Sequence, residues 1–506
     1  MKKLSRDKIQ QWFLSQNIVT GLVIFCLSCL MFFSAHFFKN PNFFLFVAII
    51  FLLTFALMNK PFVLLILLIL TSLLPISYHS PFIADLFIFD YLIPVMLLIL
   101  FFQTCLKKKI SVNHLSRVEA SFLLLLAVAA CSIFANLGKV EEFGSIYLKT
   151  EISGLLILVF IAAVFLFVSR VVDTEKKVKS IVNLFIFLSF IVGISGLYTF
   201  FQKGVGITHG FVSLIGNYMD TSNLMFPVFN LSLSSLLLMK MGRARKWILI
   251  FLFGITLILL LQTMRRSFWA MALISILVIL IFSKGPKLRI KNKFMKPRIT
   301  KIGIKKVGFV LLSVICLGII LFNLASSYKL DAYLKSFISL DIGKGYSRLV
   351  IWKQSIDLFK KNSIIGSGIG SEIFFGVEES ALKIIRSSGE EHSVATSHNQ
   401  YLTIAIEMGI IGLILFLYFC YKLLRTTYQT YKSTNSLFFK SVTLAFFAMA
   451  LATFVEILVG GAILPQHNIF RTQLYFWIWF GLVLAIKRIV NKNKNISIIK
   501  PIKVTN

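Results

Sequence analysis

The strongest constraint on this chain is a repeated one. Runs of about 18 or more mostly uncharged apolar residues recur along its whole length, each able to cross a hydrocarbon core of ~30 Å as a helix. Within a run the apolar residues are continuous and do not alternate, which excludes strands as the main element. The expected fold class is all-α, a polytopic membrane protein. Composition agrees, with 58% hydrophobic and 14% charged residues in 506 and a mean hydropathy of +0.86. The first run, at about 17–38, is too long for a signal-peptide core and lacks a small-x-small cleavage site, so it is expected to stay as a helix.

A formal charge of +33 would suggest nucleic acid if it were clustered. Instead, about 37 of the 53 Lys and Arg fall in alternate inter-helix segments, which is the pattern of the positive-inside rule. Such residues sit against an anionic inner leaflet at about 1 kcal/mol each. The bilayer is thus the expected partner, and nucleic acid is not. Cys26, Cys29, Cys105, Cys131, Cys316 and Cys420 all lie in apolar runs. The CxxC spacing of Cys26 and Cys29 reads there as small apolar packing, not redox or metal chemistry.

Lys2, Lys3, Arg6 and Lys8 place the N-terminal segment inside. Helices are expected at about 17–38, 42–59, 62–76, 84–106, 118–137, 152–169 and 180–201. Pro41 and Pro61 fall near helix starts, where a missing N–H costs little. Lys107-Lys108-Lys109 with Arg117, then Arg170, Lys176, Lys177 and Lys179, mark inner loops, while Gly138–Glu151, with Glu141, Glu142 and Glu151, reads as an outer loop. The polar stretch Gln202–Asn223, with His209, Asn217 and Asp220, reads as an outer loop or re-entrant lip.

Helices at about 224–240 and 247–263 flank the inside residues Arg243, Arg245 and Lys246, and the next helix runs to about 283. Lys284–Lys306, with about ten basic residues and no acid, is the strongest inside marker. A helix at about 307–325, a long outer loop at 326–398, and helices at about 400–421, 441–461 and 472–488 complete the chain. The total expected is 14, with both termini cytoplasmic. The expected divisions are N-terminal helices at 1–325, the extracytoplasmic loop at 326–398, C-terminal helices at 399–489 and a basic tail at 490–506.

Chemistry in such a chain concentrates where polar side chains meet the membrane edge. Arg265 and Arg266 interrupt two apolar runs on the side that otherwise avoids basic residues. They can be snorkelling anchors, or an anion clamp, since guanidinium forks match phosphate oxygens. Breaking the charge-side pattern favours the clamp. Trp269 beside them reads as a belt residue. In the long loop, Leu349, Trp352, Ile356 and Phe359 have helical spacing, so the stretch from Gly345 reads as an amphipathic helix lying on the membrane. Arg348 is expected in its first turn, opposing the helix dipole, a misfit that suggests a purpose.

Gly366-Ser367-Gly368-Ile369-Gly370 follows with no preceding strand, so it reads as a flexible tight turn that lets backbone approach a ligand, not as a dinucleotide motif. Glu378-Glu379 to Glu390-Glu391-His392 reads as a mobile solvated loop. His398 opens the next helix, with Ser397 as a candidate N-cap and Asn399 and Gln400 in the same turn. A histidine at a membrane edge can be merely structural, but imidazole also suits proton transfer near neutral pH. Glu407 lies on the face of Gln400, where a buried carboxylate must be paired, protonated or facing a cavity. Gly409 and Gly412 allow close helix packing.

The pattern His398-Asn399-Gln400-Tyr401-Leu402, Glu407-Met408-Gly409, Gly412-Leu413 and Phe416-Leu417 resembles the O-antigen ligase/polymerase family. So do Arg348 with Trp352, Gly366-Ser367-Gly368, and Arg265-Arg266-Ser267-Phe268-Trp269. The likeness spans roughly Leu224 to Leu417, and the first two hundred residues carry no matching motif. It implies a metal-independent glycosyltransferase of many helices that uses undecaprenyl-diphosphate-linked glycans on the outer face of a bacterial inner membrane. It also implies a lipid-linked oligosaccharide as substrate, no cofactor, and a flippase and a chain-length regulator of the same pathway as partners. The residues support this independently: Arg265, Arg266 and Arg348 can take up leaving-group charge, and His398 can deprotonate an acceptor hydroxyl. No DxD occurs to hold a divalent ion on the diphosphate.

Within the family, polymerases extend the glycan on its carrier and ligases move it to another acceptor. Richness in Lys, Ile, Phe and Asn hints at an AT-rich genome and favours a surface-polysaccharide polymerase, with the ligase as alternative. A flippase or transporter would want charges along a midplane cavity and an internal repeat, and neither is visible. A non-catalytic scaffold would leave the Arg and His residues without a task.

Overall fold

The computed structural model describes residues 52–54, 56–57, 59–73, 77–78, 86–87, 92–107, 116–138, 145–203, 218–262, 266–283, 342–371, 383–385, 391–393, 397–460, 464 and 470–499. The expected spans at 17–38 and 307–325 and the basic stretch 284–306 lie outside these residues, as does most of the span at 42–59.

The chain forms two compact units. The smaller comprises residues 1–71 and 88–114. In it, α1 (Pro61–Thr71) starts on the expected proline, buries Leu64, Leu65, Leu68 and Ile69, and packs with α2 (Leu92–Lys107).

The larger unit, residues 72–87 and 115–506, is built mainly of helices. They are α3 (Arg117–Ala135), α4 (Ser145–Val171), α5 (Glu175–Lys203), α6 (Tyr218–Leu238), α7 (Arg243–Gln262), α8 (Arg266–Ser283), α9 (Ile342–Lys361), α10 (Gln400–Ser433), α11 (Leu437–Glu456) and α12 (Phe470–Ile499). The all-α expectation thus holds for the bulk of the described residues. Two small antiparallel pairs add to it: β1 (Ser77–Tyr78) with β2 (Leu86–Phe87), and β3 (Lys383–Ile385) with β4 (Glu391–Ser393). The second pair, in which Ile384 pairs with His392 across a ladder, lies within the stretch read as a solvated loop. Among the described residues seven helices are long and apolar enough to cross a membrane, and the segments 61–71 and 267–283 are shorter apolar helices.

The core is aromatic and centred on α12, whose Tyr475, Trp477 and Trp479 are 0% exposed. Phe122 of α3, Phe165 of α4, Phe419 of α10 and Trp477 meet at centroid separations of 5.2 to 6.0 Å, mostly edge to face, the arrangement ring quadrupoles favour. Gly481 lets α12 approach α4, since a β-carbon there would lie 2.6 Å from Val168 Cβ.

One end of this unit is basic. Ser116 caps α3 in a capping box with Glu119: the Ser116 N–H donates to Glu119 Oε2 at 2.6 Å and the Glu119 N–H to Ser116 Oγ at 3.3 Å. Glu119 is wholly buried, so it requires a counter-charge. Arg488 of α12 supplies one at 2.7 Å and Arg170 of α4 another at 3.5 Å, while Arg488 also donates to Ser169 O at 2.9 Å. Lys177 donates to Val171 O at 3.1 Å beside them.

Several boundaries differ from expectation. Helix α2 starts at Leu92 and not at about 84, since 86–87 pair as β2. Helix α6 starts at Tyr218, inside the stretch read as an outer loop, and α12 runs to Ile499 and not to about 488, into the expected tail. Helix α10 runs to Ser433, not to about 421. Its apolar content ends near 421, but Thr427 and Thr430 return hydrogen bonds to Leu423 O and Thr426 O, and Tyr431 Oη donates to Phe282 O of α8 at 2.8 Å. Helix α4 starts at Ser145, so Glu151 is a helical residue and not part of an outer loop.

Candidate functional site

The end of the larger unit opposite the basic one is where α3 stops, α4 begins, α11 stops and α10 begins. Asn399 is the N-cap of α10: its Oδ1 accepts from the N–H of Tyr401 at 3.0 Å and of Leu402 at 3.2 Å. This corrects the expectation for Ser397. The Ser397 hydroxyl is buried and donates to Asn399 O at 3.0 Å, with Thr403 Oγ1 3.1 Å away. Asn399, two residues later, has the extended backbone a cap needs.

Between them His398 has φ 52, and it is the single non-glycine with positive φ among the described residues. The left-handed region is unfavourable for an L-residue and persists where surroundings over-determine it. Those surroundings are visible. Trp352 Nε1 donates to Ser397 O at 3.1 Å, the Gln400 N–H to Ile457 O at 2.9 Å, the Leu464 N–H to Gln400 Oε1 at 3.2 Å, and Tyr401 Oη to Phe454 O at 2.9 Å. The His398 residue itself is exposed at this end of the unit.

Eleven residues beyond His398, α10 breaks. Gly409 has φ 66 and ψ −169, so the carbonyls of Ile406 and Glu407 lose their usual partners. The loop after α9 replaces them. The Ser367 N–H donates to Ile406 O at 2.8 Å and the Gly368 N–H to Glu407 O at 2.9 Å, while the Ile410 N–H donates to Ser363 O at 2.8 Å. Glycine is required on both sides of this joint. A β-carbon at Gly366 would fall on Glu407 O and 2.5 Å from Gly409 N, and one at Gly409 would fall on Ile364 O.

The GxGxG stretch therefore does permit a close backbone approach, but the partner seen is a broken helix. Far from being a flexible turn, it is buried from Gly366 to Ile369 and hydrogen-bonded on both sides. Gly409 likewise breaks its helix and does more than thin a helix contact.

Behind the loop stands a wall made by α3 and α4. Asn136 Nδ2 donates to Gly366 O at 3.2 Å, and Tyr147 Oη donates to Ser367 O. A β-carbon at Gly368 would land on Glu151 Oε1, and one at Gly370 would lie 3.0 Å from Thr150 O. Asn136, Tyr147 and Glu151 were missed by reading motifs. The available signal was the spacing Tyr147, Glu151, Gly154, which places the three on one helix face.

Helix α9 buries Ile351, Ser355 and Leu358 and leaves Leu349 and Ile356 exposed, with Trp352 and Phe359 half-buried. The expected apolar stripe is thus partly covered: Leu349 and Ile356 stay exposed while Trp352 turns to the Ser397 carbonyl. The helix begins at Ile342, so Arg348 lies in its second turn and not its first, and the supposed conflict with the helix dipole disappears. Arg348 is one turn before Trp352, the residue that reaches the His398 turn. Arg266 is the first residue of α8, and Arg265 lies outside the described residues. Trp269 and Glu407 are half-buried.

Residues 228–417 match a family model described as O-antigen ligase. The comparison with curated proteins finds no match. Among solved structures, one similar chain comes from work described as "Structural coordination of polymerization and crosslinking by a peptidoglycan synthase complex". It is 16% identical, with 72% of this chain and 96% of that chain covered at a TM-score of 0.39, too loose a superposition to define a shared fold.

Proposed function

We propose, on the premise that residues 228–417 match a family model described as O-antigen ligase, that the chain polymerises undecaprenyl-diphosphate-linked oligosaccharides into a surface polysaccharide. The chemistry is glycosyl transfer. An acceptor hydroxyl gives its proton to the His398 imidazole and its oxygen attacks the anomeric carbon of the donor sugar. The bond from that carbon to the phosphate oxygen breaks, and the electron pair leaves with undecaprenyl diphosphate. Arg348, Arg265 and Arg266 neutralise the charge that develops on the diphosphate.

The observation that carries this reading is the hydrogen bond from Trp352 Nε1 to Ser397 O. It ties the helix bearing Arg348 to the turn bearing His398, at the end of the unit away from Glu119, Arg170 and Arg488. The short inter-helix segment at 170–179, with Arg170, Lys176, Lys177 and Lys179, lies at the opposite end. On the positive-inside rule the His398 end then faces outward, where a lipid-linked glycan would be met. Asn399 and Gln400 support the His398 turn, and Glu407, Gly366 and Gly368 belong to the joint at Gly409 that holds the loop after α9. The substrate enters from the bilayer, and a flippase and a chain-length regulator are the pathway partners the reading calls for.

The ligase reading shares donor and leaving group and differs in acceptor, and the family description names it. The test is an in vitro reaction with purified protein and a lipid-diphosphate oligosaccharide, run with and without chelator. Longer carrier-linked products from that substrate alone support polymerisation, unchanged with chelator if no metal takes part. Transfer only when a second acceptor is added would replace it with ligation. No transfer under either condition would remove the glycosyltransferase reading.

A further inference from the structure

We propose that Glu151 is a positioning residue for this transfer reaction, holding the Gly366–Ser371 loop against the break in α10. The inference rests on the reading above, and it concerns a helix that the family match at 228–417 does not include. Glu151 is 0% exposed and sits one turn from Tyr147, which is 0% exposed as well. A carboxylate in the first third of an apolar helix is expensive and is retained for a purpose.

Its surroundings name the purpose. Gly368 has φ 98 and lies so close to the Glu151 carboxylate that any β-carbon would occupy the place of Oε1 and lie 2.7 Å from Cδ. A flexible carboxylate could swing aside at a surface; a wholly buried one cannot. Next to it, Tyr147 Oη donates to Ser367 O, and Gly154 meets Ile369 Cγ1 at a β-carbon distance of 3.2 Å. The face of α4 from Tyr147 to Gly154 is thus shaped to the loop. The loop in turn gives the Ser367 and Gly368 N–H groups to Ile406 O and Glu407 O, three and two residues before the break.

Mechanical continuity follows. Helix α9 with Arg348 runs directly into this loop through Asn362, whose Nδ2 donates to Ser367 Oγ at 3.1 Å. Helix α10 begins at the His398 turn and ends its first segment at the joint. Glu151 therefore fixes the spacing between the two elements that carry the proposed base and one proposed diphosphate ligand. A displacement of about 1 Å in such a pair is worth on the order of 100-fold in rate.

The test compares wild type with Glu151→Gln, which keeps the shape and removes one acceptor oxygen and the ability to carry charge. Transfer kinetics, thermal melting in detergent and hydrogen–deuterium exchange of residues 363–371 are measured together. The expected result is kcat lower by about 10-fold or more, KM for the lipid-linked donor within about twofold, an unchanged melting temperature and faster exchange across the loop. Wild-type kcat, or unchanged loop exchange, overturns the inference. A lowered melting temperature with wild-type kcat per folded molecule also overturns it, as packing alone. Should Glu151→Gln not fold, Tyr147→Phe removes only the hydroxyl that donates to Ser367 O, and the same pattern in smaller measure is required of it. A wild-type protein without transfer activity defeats the function proposed above, whereas an active wild type with an equally active Glu151→Gln defeats this inference alone.

Discussion

Trp352 and Ser397 are 45 positions apart, and the indole N–H of the first donates to the backbone carbonyl of the second at 3.1 Å. That one bond joins the amphipathic helix α9 to a turn whose next residue, His398, is held in the left-handed region. If the bond sets the site, Trp352→Phe keeps an aromatic ring, though a smaller one, and loses the donor. A typical hydrogen bond is worth about 1 kcal/mol, or roughly fivefold in an equilibrium. Transfer is expected to fall by about that factor or more, with protein yield unchanged. Steady-state kinetics on purified variant checks it, and wild-type kcat would show the bond to be incidental.

The joint at Gly409 makes a structural prediction. Gly409→Ala and Gly366→Ala place a β-carbon onto backbone carbonyl oxygens and also force an alanine to positive φ. Each is expected to destabilise by about 3 kcal/mol or more. Gly254→Ala is the control: it sits inside α7 with nothing within 4 Å of its ideal β-carbon, and it is expected to be neutral or stabilising by roughly 0.5 to 1 kcal/mol. Thermal melting in detergent separates the two classes.

At the basic end the relation is energetic and not catalytic. Arg488→Ala leaves the buried Glu119 with Arg170 at 3.5 Å as its guanidinium partner. Losing one partner of a buried ion pair costs about 3 to 5 kcal/mol, and less here because the Arg488 side chain is 33% exposed. The expected outcome is a lower melting temperature with unchanged kcat per folded molecule. A selective loss of kcat would show that the two ends are coupled.

Sidedness follows from the same division. A cysteine at exposed position His398 is expected to react with an impermeant thiol reagent in intact cells. One at Lys179, which is half exposed in α5 near the basic end, is expected to react only after lysis. The reverse pattern would put the proposed site in the cytoplasm.

How much of this could be read without coordinates depended on the kind of signal. Long apolar runs specify helices by themselves, so α3, α5 and α11 fall close to where hydropathy puts them, whereas α12 continues past the expected 488 to Ile499. Hydropathy is blind where a helix continues in polar residues. It stopped α10 near 421, although threonine back-bonds and Tyr431 carry it to Ser433, and it left Glu151 outside a helix that begins at Ser145. Local motifs identified the crowded turn at 397–400 but not which residue caps it, because Ser397 and Asn399 are both good caps and backbone geometry chooses. The glycine cluster was legible as a close approach. That its partner is the gap in α10 could not be, since contacts between residues 366 and 409 are tertiary.

Transfer by the His398 and Arg348 variants decides whether these two side chains form an active centre. Purified wild type, His398→Ala and Arg348→Ala are incubated with a lipid-diphosphate oligosaccharide, and glycan transfer and released undecaprenyl diphosphate are quantified at equal amounts of folded protein. The account predicts that both variants lose about 100-fold or more of the wild-type rate at unchanged melting temperature. Wild-type rates from either variant would contradict it.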